Sequence, residues 1–142
     1  MAPMILKQKW NKNDVIELEL DMPVQLMQAH PLVEKVFNQV AVKRGPVVYC
    51  LESADVPEDV KLAEVFIPAD INFKTKDFVI ENSKMKALAG QGQIYKTGHW
   101  SNNLYKELKP AKAENLNTQL VPYYAWGNRG KGDMSVWLPV TR

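Results

Sequence analysis

Paired carboxylates, a reactive thiol and clustered metal donors are the residue types that carry most hydrolytic chemistry, and the chain offers few of them in useful spacing. Glu17 and Glu19 could serve as a general acid and base. Two residues apart, however, they share a face of an extended strand as any such pair would, and they read as a solvated face. The rest of the 16 Asp and Glu form no pair in a recognisable site context. Cys50 is the single cysteine. A nucleophilic thiol needs a neighbour that lowers its pKa. Cys50 instead stands between Tyr49 and Leu51 in an apolar run, which predicts an inert core residue. One cysteine makes no intrachain disulfide, and with His30 and His99 it falls short of a four-ligand zinc site. No Gly-x-Ser-x-Gly elbow is present. Gly90-Gln91-Gly92 lacks a third glycine, and the glycines at 127, 130 and 132 lack the spacing of a phosphate-binding loop, so both stretches read as turns. The residues thus predict no catalytic side chain and no metal ligand.

Aromatic side chains are the better prospect. Tyr123, Tyr124, Trp126 and Trp137 cluster near the end of the sequence. Flat aromatic faces bind sugars and also dominate protein interfaces. In an extended strand Tyr124 and Trp126 share one face and Tyr123 takes the other, with at least one face packed in the core. Trp100 lies in the polar stretch Gly98-His99-Trp100-Ser101, where it reads as an exposed contact or as a plug that anchors the loop. Trp100, Tyr124 and Trp126 are the candidate sugar or interdomain contacts.

The elements that would position them are short strands. Residues 5–10, a turn at 11–14 and the alternating run at 15–20 predict an N-terminal hairpin, with Ile16, Leu18 and Leu20 on one face and Glu17 and Glu19 on the other. Pro23 ends it, and the chain divides there into a hairpin over residues 1–22 and a main domain over 23–142. Further strands are expected at 24–29, at 40–44 before the break Gly45-Pro46, at 47–52, at 64–68 and at 73–80. Residues 47–51 are uniformly apolar, which suits a strand buried on both faces. Residues 85–88 lead to a turn at Gly90-Gln91-Gly92, and 93–95 resume a strand. A long polar loop spans 97–113, and strands at 118–126 and 134–140 close the sequence. This pattern of short punctuated strands predicts an all-β, antiparallel β-sandwich or jelly roll.

Composition narrows the field further. The chain has 142 residues, 46% hydrophobic and 24% charged, with a net charge of +2. That is one ordinary globular domain, able to bury a core without staples. The charge is too weak for a dedicated nucleic-acid surface, and no apolar run is long enough for a membrane helix. The first ten residues lack a basic stretch followed by an apolar core, so no signal peptide is expected, and the compartment is not legible.

Three phrases in order carry a resemblance. Residues 9–18, Lys-Trp-Asn-Lys-Asn-Asp-Val-Ile-Glu-Leu, are similar to the Trp-x-x-x-Asp strand pair of glycoside hydrolase family 127, the β-L-arabinofuranosidase family. Arg44-Gly45-Pro46-Val47-Val48-Tyr49-Cys50-Leu51-Glu52 resembles its Arg-Gly-Pro-Leu-Val-Tyr-Cys-x-Glu phrase. The stretches 122–130 and 134–138 resemble its C-terminal ending. The resemblance implies a bacterial carbohydrate-active enzyme in which an (α/α)6 barrel carries the active site and β-sandwich domains follow. It also places the family's nucleophilic Cys, its zinc-binding residues and its acid/base Glu in the barrel, so no cofactor is expected in this chain. Cys50 matches a cysteine of the sandwich region and not the nucleophile. The chain then corresponds to the non-catalytic C-terminal sandwich. Its implied partners are the catalytic barrel and the preceding sandwich, to which the N-terminal hairpin would belong, with a homodimer as a further possibility.

Overall fold

The computed structural model describes residues 5–142, and its secondary structure is nine strands joined by turns and single 3-10 turns. The first three are β1 (Val24–Gln28), β2 (Gln39–Arg44) and β3 (Val47–Glu52). Then come β4 (Val65–Pro68), β5 (Lys74–Ile80), β6 (Ser83–Ile94) and β7 (Glu114–Pro122). Two short strands, β8 (Met134–Ser135) and β9 (Trp137–Thr141), complete the set.

β2 and β3 form a hairpin through Gly45-Pro46, with Arg44 opposite Val47. Gly45 has a φ of +56°, the left-handed backbone that a two-residue hairpin asks for, and the Met22 side chain packs where its Cβ would be. Beyond Val42–Tyr49 the two arms splay. The chain enters the gap along β3, with Met134 opposite Glu52 and Ser135 opposite Leu51. It bends at Val136, where the Ser135 hydroxyl donates to the Trp137 carbonyl at 2.7 Å, and leaves along β2 with Trp137 opposite Ala41. β9 then pairs in parallel with β4, β4 with β6, β6 with β7 and β7 with β3. Six strands therefore close a ring, β2-β9-β4-β6-β7-β3.

The all-β, mostly antiparallel class expected from the sequence is present, but the layout is a closed barrel-like sheet and not the two-layer sandwich or jelly roll. Closure depends on the terminal strand joining β2 to β4, a pairing that no local pattern announces. Closure also removes the free edges of those strands. β1 and β5 remain outside the ring, against β2 and β6.

The core lies inside the ring, built on Val42, Leu51, Ile67, Leu88, Leu120 and Leu138. In β3 Tyr49, Cys50 and Leu51 are buried in succession, but the burial expected along the whole run 47–51 is corrected at its start, where Val47 is half-buried and Val48 exposed beside the hairpin turn. The expected turn at Gly90-Gln91-Gly92 is corrected, because β6 runs straight through it. A Cβ on Gly90 would stand 2.9 Å from the Phe73 ring and 3.0 Å from Ile71, and one on Gly92 would meet the Thr118 hydroxyl and the Phe66 carbonyl. These glycines make room for side chains that cross the strand.

The N-terminal hairpin is also corrected. Its turn forms, with the Asp14 N–H donating to the Asn11 carbonyl at 3.1 Å and the Asn11 N–H to Asp14 Oδ2 at 2.7 Å. Residues 5–10 and 15–23 pair with nothing as strands, and Ile16, Leu18 and Leu20 lie exposed. Alternation supplies an apolar face, but a strand also needs a partner for its backbone, and this domain offers it none. Residues 1–4 of the expected hairpin unit lie outside the described residues.

Candidate functional site

At the end of β3 the chain turns over Ser53–Asp55, a single 3-10 turn, and so sets Glu52 and Asp55 side by side. Across from them the loop between residues 127 and 133 delivers Arg129. The loop is pinned by the Ser53 N–H donating to the Asp133 carbonyl at 2.9 Å, and by the Asp133 N–H donating to Ser53 Oγ at 3.1 Å. Arg129 Nε donates to Glu52 Oε2 at 2.7 Å and Nη1 to Asp55 Oδ1 at 2.9 Å, while Nη2 reaches both carboxylates. Gly127 N–H and Gln119 Nε2 complete the two acids at 3.2 and 2.9 Å. The Phe78 ring lies 5.3 Å from the guanidinium carbon. The hydrogen bonds to Asp55 and Glu52 outweigh burial and hold the guanidinium proton even more tightly than usual. Both carboxylates are nearly buried and committed to one arginine, so the arrangement is a structural clamp and not an acid and base poised for proton transfer. The sequence reading missed this trio, because 77 residues separate Arg129 from Glu52.

Beside the clamp an open cleft of about 310 Å³ is lined by Trp126, Ser53, Glu58, Lys131 and Asp133 together with Arg129. Of the three aromatic candidates, Trp126 is 45% exposed, Tyr124 68% and Trp100 38%. Only Trp126 lines the cleft. The shared strand face expected for Tyr124 and Trp126 is corrected: β7 ends at Pro122, and Tyr123–Ala125 is a 3-10 turn closed by the Trp126 N–H on the Tyr123 carbonyl at 3.1 Å. Ala125 is the buried residue of that turn, which leaves both tyrosines outward. Trp100 sits apart in the 97–113 loop, with the Lys106 ammonium 4.3 Å from its ring centroid.

Cys50 is fully buried. Burial pushes its thiol up to about 11, with the charge on Glu52 adding to the effect. That is the reverse of what a nucleophile needs. The zinc that the resemblance places in a catalytic barrel finds no fitting donor set here. Among the described residues no three of His, Cys, Asp and Glu converge, and Glu52 and Asp55 share an arginine.

Comparison with known proteins adds a lineage to this geometry. The model of the glycoside hydrolase family 127 C-terminal domain matches residues 24–139. A non-reducing end β-L-arabinofuranosidase from Bifidobacterium longum subsp. longum is 34% identical over 136 aligned residues, covering 89% of this chain and 20% of that protein. A solved glycoside hydrolase superposes with a TM-score of 0.78 at 49% identity, over 86% of this chain and 20% of its own. A GH127 β-L-arabinofuranosidase from Geobacillus stearothermophilus T6 follows at 0.72 and 33%, over 84% of this chain and 18% of its own. The chain thus spans about a fifth of the length of the relatives it matches.

Proposed function

This chain belongs to the glycoside hydrolase family 127 C-terminal domain family, and from that premise we propose that it is a non-catalytic accessory domain of a β-L-arabinofuranosidase-like enzyme, supporting the catalytic barrel. One observation carries the reading: the family's C-terminal domain accounts for residues 24–139, while four-fifths of each relative has no counterpart here. The local chemistry supports it. The buried thiol is pushed away from reactivity, and Glu52 and Asp55 are locked to Arg129. The purified chain should release no arabinose from an aryl β-L-arabinofuranoside, with or without added zinc. Turnover above a buffer blank that disappears when an acid of this chain is replaced overturns the reading.

The Trp126 cleft favours a second reading, in which the domain also holds a sugar residue against the indole with Glu58, Lys131 and Asp133 as hydrogen-bonding partners. Titration with arabino-oligosaccharides should then quench tryptophan fluorescence, and Trp126→Ala should abolish the response. A calorimetric titration without heat removes this reading and leaves the first one standing.

A further inference from the structure

We propose that residues 97–113 form a docking loop by which this domain grips the part of its parent enzyme lying outside the matched fifth; the inference rests on the accessory-domain reading above. The loop leaves the barrel after β6 and returns at β7. Leu104 is 85% exposed, Tyr105 90% and Leu108 92%, three large apolar side chains within five residues standing almost bare in water.

The loop is nevertheless tied down at its base. Buried Glu64 accepts from both the N–H and the hydroxyl of Thr97, each at 2.6 Å. The Lys106 ammonium donates to the Thr97 carbonyl and lies over the Trp100 ring. The Asn103 N–H closes a turn on the Trp100 carbonyl at 3.0 Å. These straps use the polar groups of the loop and leave Leu104 and Tyr105 outside, on the near side of the strapped Lys106. Holding a loop in place so that its apolar side chains face outward is of use when another surface receives them.

The partner's chemistry follows from the charges. Three lysines against one glutamate give the segment a formal charge of +2. A complementary surface is an apolar groove rimmed with carboxylates, and a second copy of the same loop would bring like charges together. The relatives carry four-fifths of their length outside the part this chain matches, and that is the body of protein on which such a groove is to be sought.

The test replaces the matching fifth of the Bifidobacterium longum relative with this chain and carries Leu104→Ser, Tyr105→Ser and Leu108→Ser together into both the chimera and the isolated chain. The isolated chain and its triple variant should melt at the same temperature, since these side chains are exposed, and trypsin should cut both after Lys106 and Lys112. In the chimera those cuts should slow by at least about tenfold, as expected for a segment that opens only with the docked unit. The triple variant should restore the cuts and lower the melting temperature. A chimera as stable as the natural enzyme whose loop is cut as fast as in the isolated chain, or whose triple variant behaves like the unsubstituted chimera, overturns the docking loop and spares the accessory reading. A chimera no more stable than the relative lacking this fifth takes both down. A dimer of the isolated chain that the triple variant dissociates assigns the loop to a second copy and overturns the proposal.

Discussion

Arg129 joins two nearly buried carboxylates whose other donors, the Gly127 amide and the Gln119 side chain, are neutral, and this governs what its loss should do. The pair with an arginine is not itself a large source of stability, because removing three groups from water offsets most of their attraction. Removing only the cation leaves the two acids exposed to that cost. Arg129→Ala should destabilise the chain by about 3–5 kcal/mol in urea unfolding at neutral pH. Arg129→Lys should recover only part of this, since an ammonium cannot reproduce the fork that binds both acids. Near-wild-type stability of the alanine variant would show that the acids find water or another donor. Cys50, two residues before Glu52 in β3, behaves differently, because burial dominates its environment and the charge on Glu52 acts in the same direction. With its thiol pushed up to about 11, it should resist a thiol reagent at pH 8 until the chain is denatured. Cys50→Ser puts a hydroxyl in the same place and should cost about 1–3 kcal/mol. Rapid native labelling would mean that β3 opens far more readily than its burial suggests. Of these groups the sequence discloses Cys50, whose apolar neighbours adjoin it along the chain. It discloses Glu52 only as the polar end of that run. Arg129 lies in a glycine-rich stretch that looks like an ordinary turn, and nothing local says that its side chain reaches across the molecule.

Strands defined by their own side chains were legible, and those defined by distant partners were not. β3 coincides with its expected bounds because its apolar run states the conformation, but burial on both faces begins only at Tyr49 and Val48 is exposed. The sequence reads as a break in β6, since it shows that Gly90 and Gly92 lack side chains but not that Ile71, Phe73 and Thr118 occupy the space. The 97–113 loop was legible from its polarity, yet the strap that anchors it was not. That strap has a pH dependence of its own. Burial alone would push the Glu64 carboxyl up, but the hydrogen bonds from the Thr97 hydroxyl and amide and the Lys61 amide together hold it below its ordinary value of 4.5. A depressed folded-state value stabilises the fold above the unfolded value, and the contribution is lost as pH falls through the folded one. Melting temperature measured from pH 6 down to pH 3 should therefore fall more steeply for the natural chain than for Glu64→Gln. Parallel curves would show that the strap adds nothing.

At the scale of the molecule, residues 5–20 present Ile5, Leu6, Val15, Ile16, Leu18 and Leu20 to solvent with no cover from the barrel. An extended segment with an apolar face and unpaired backbone invites a second copy. The chain should sediment as a dimer at micromolar concentration. Deleting residues 1–21, which spares Met22 beneath Gly45, should give a monomer with an unchanged melting temperature. An undeleted chain that is already monomeric would leave the segment without a role in self-association.

The entry of β8 and β9 between the arms of the β2–β3 hairpin also fixes when the protein can fold. Ile67 must find Val140 and Val40 must find Leu138, partners separated by 73 and 98 residues. Such contacts charge their loop entropy before they return any stability, so the rate should be set by this one late insertion and lie in the slow range typical of all-β domains, milliseconds to seconds. Until it happens the splayed hairpin offers two open backbone edges, which are the natural site of misassembly for a nascent or refolding chain. Peptides copying residues 134–141, added during refolding, should compete for that gap and lower the yield of native protein.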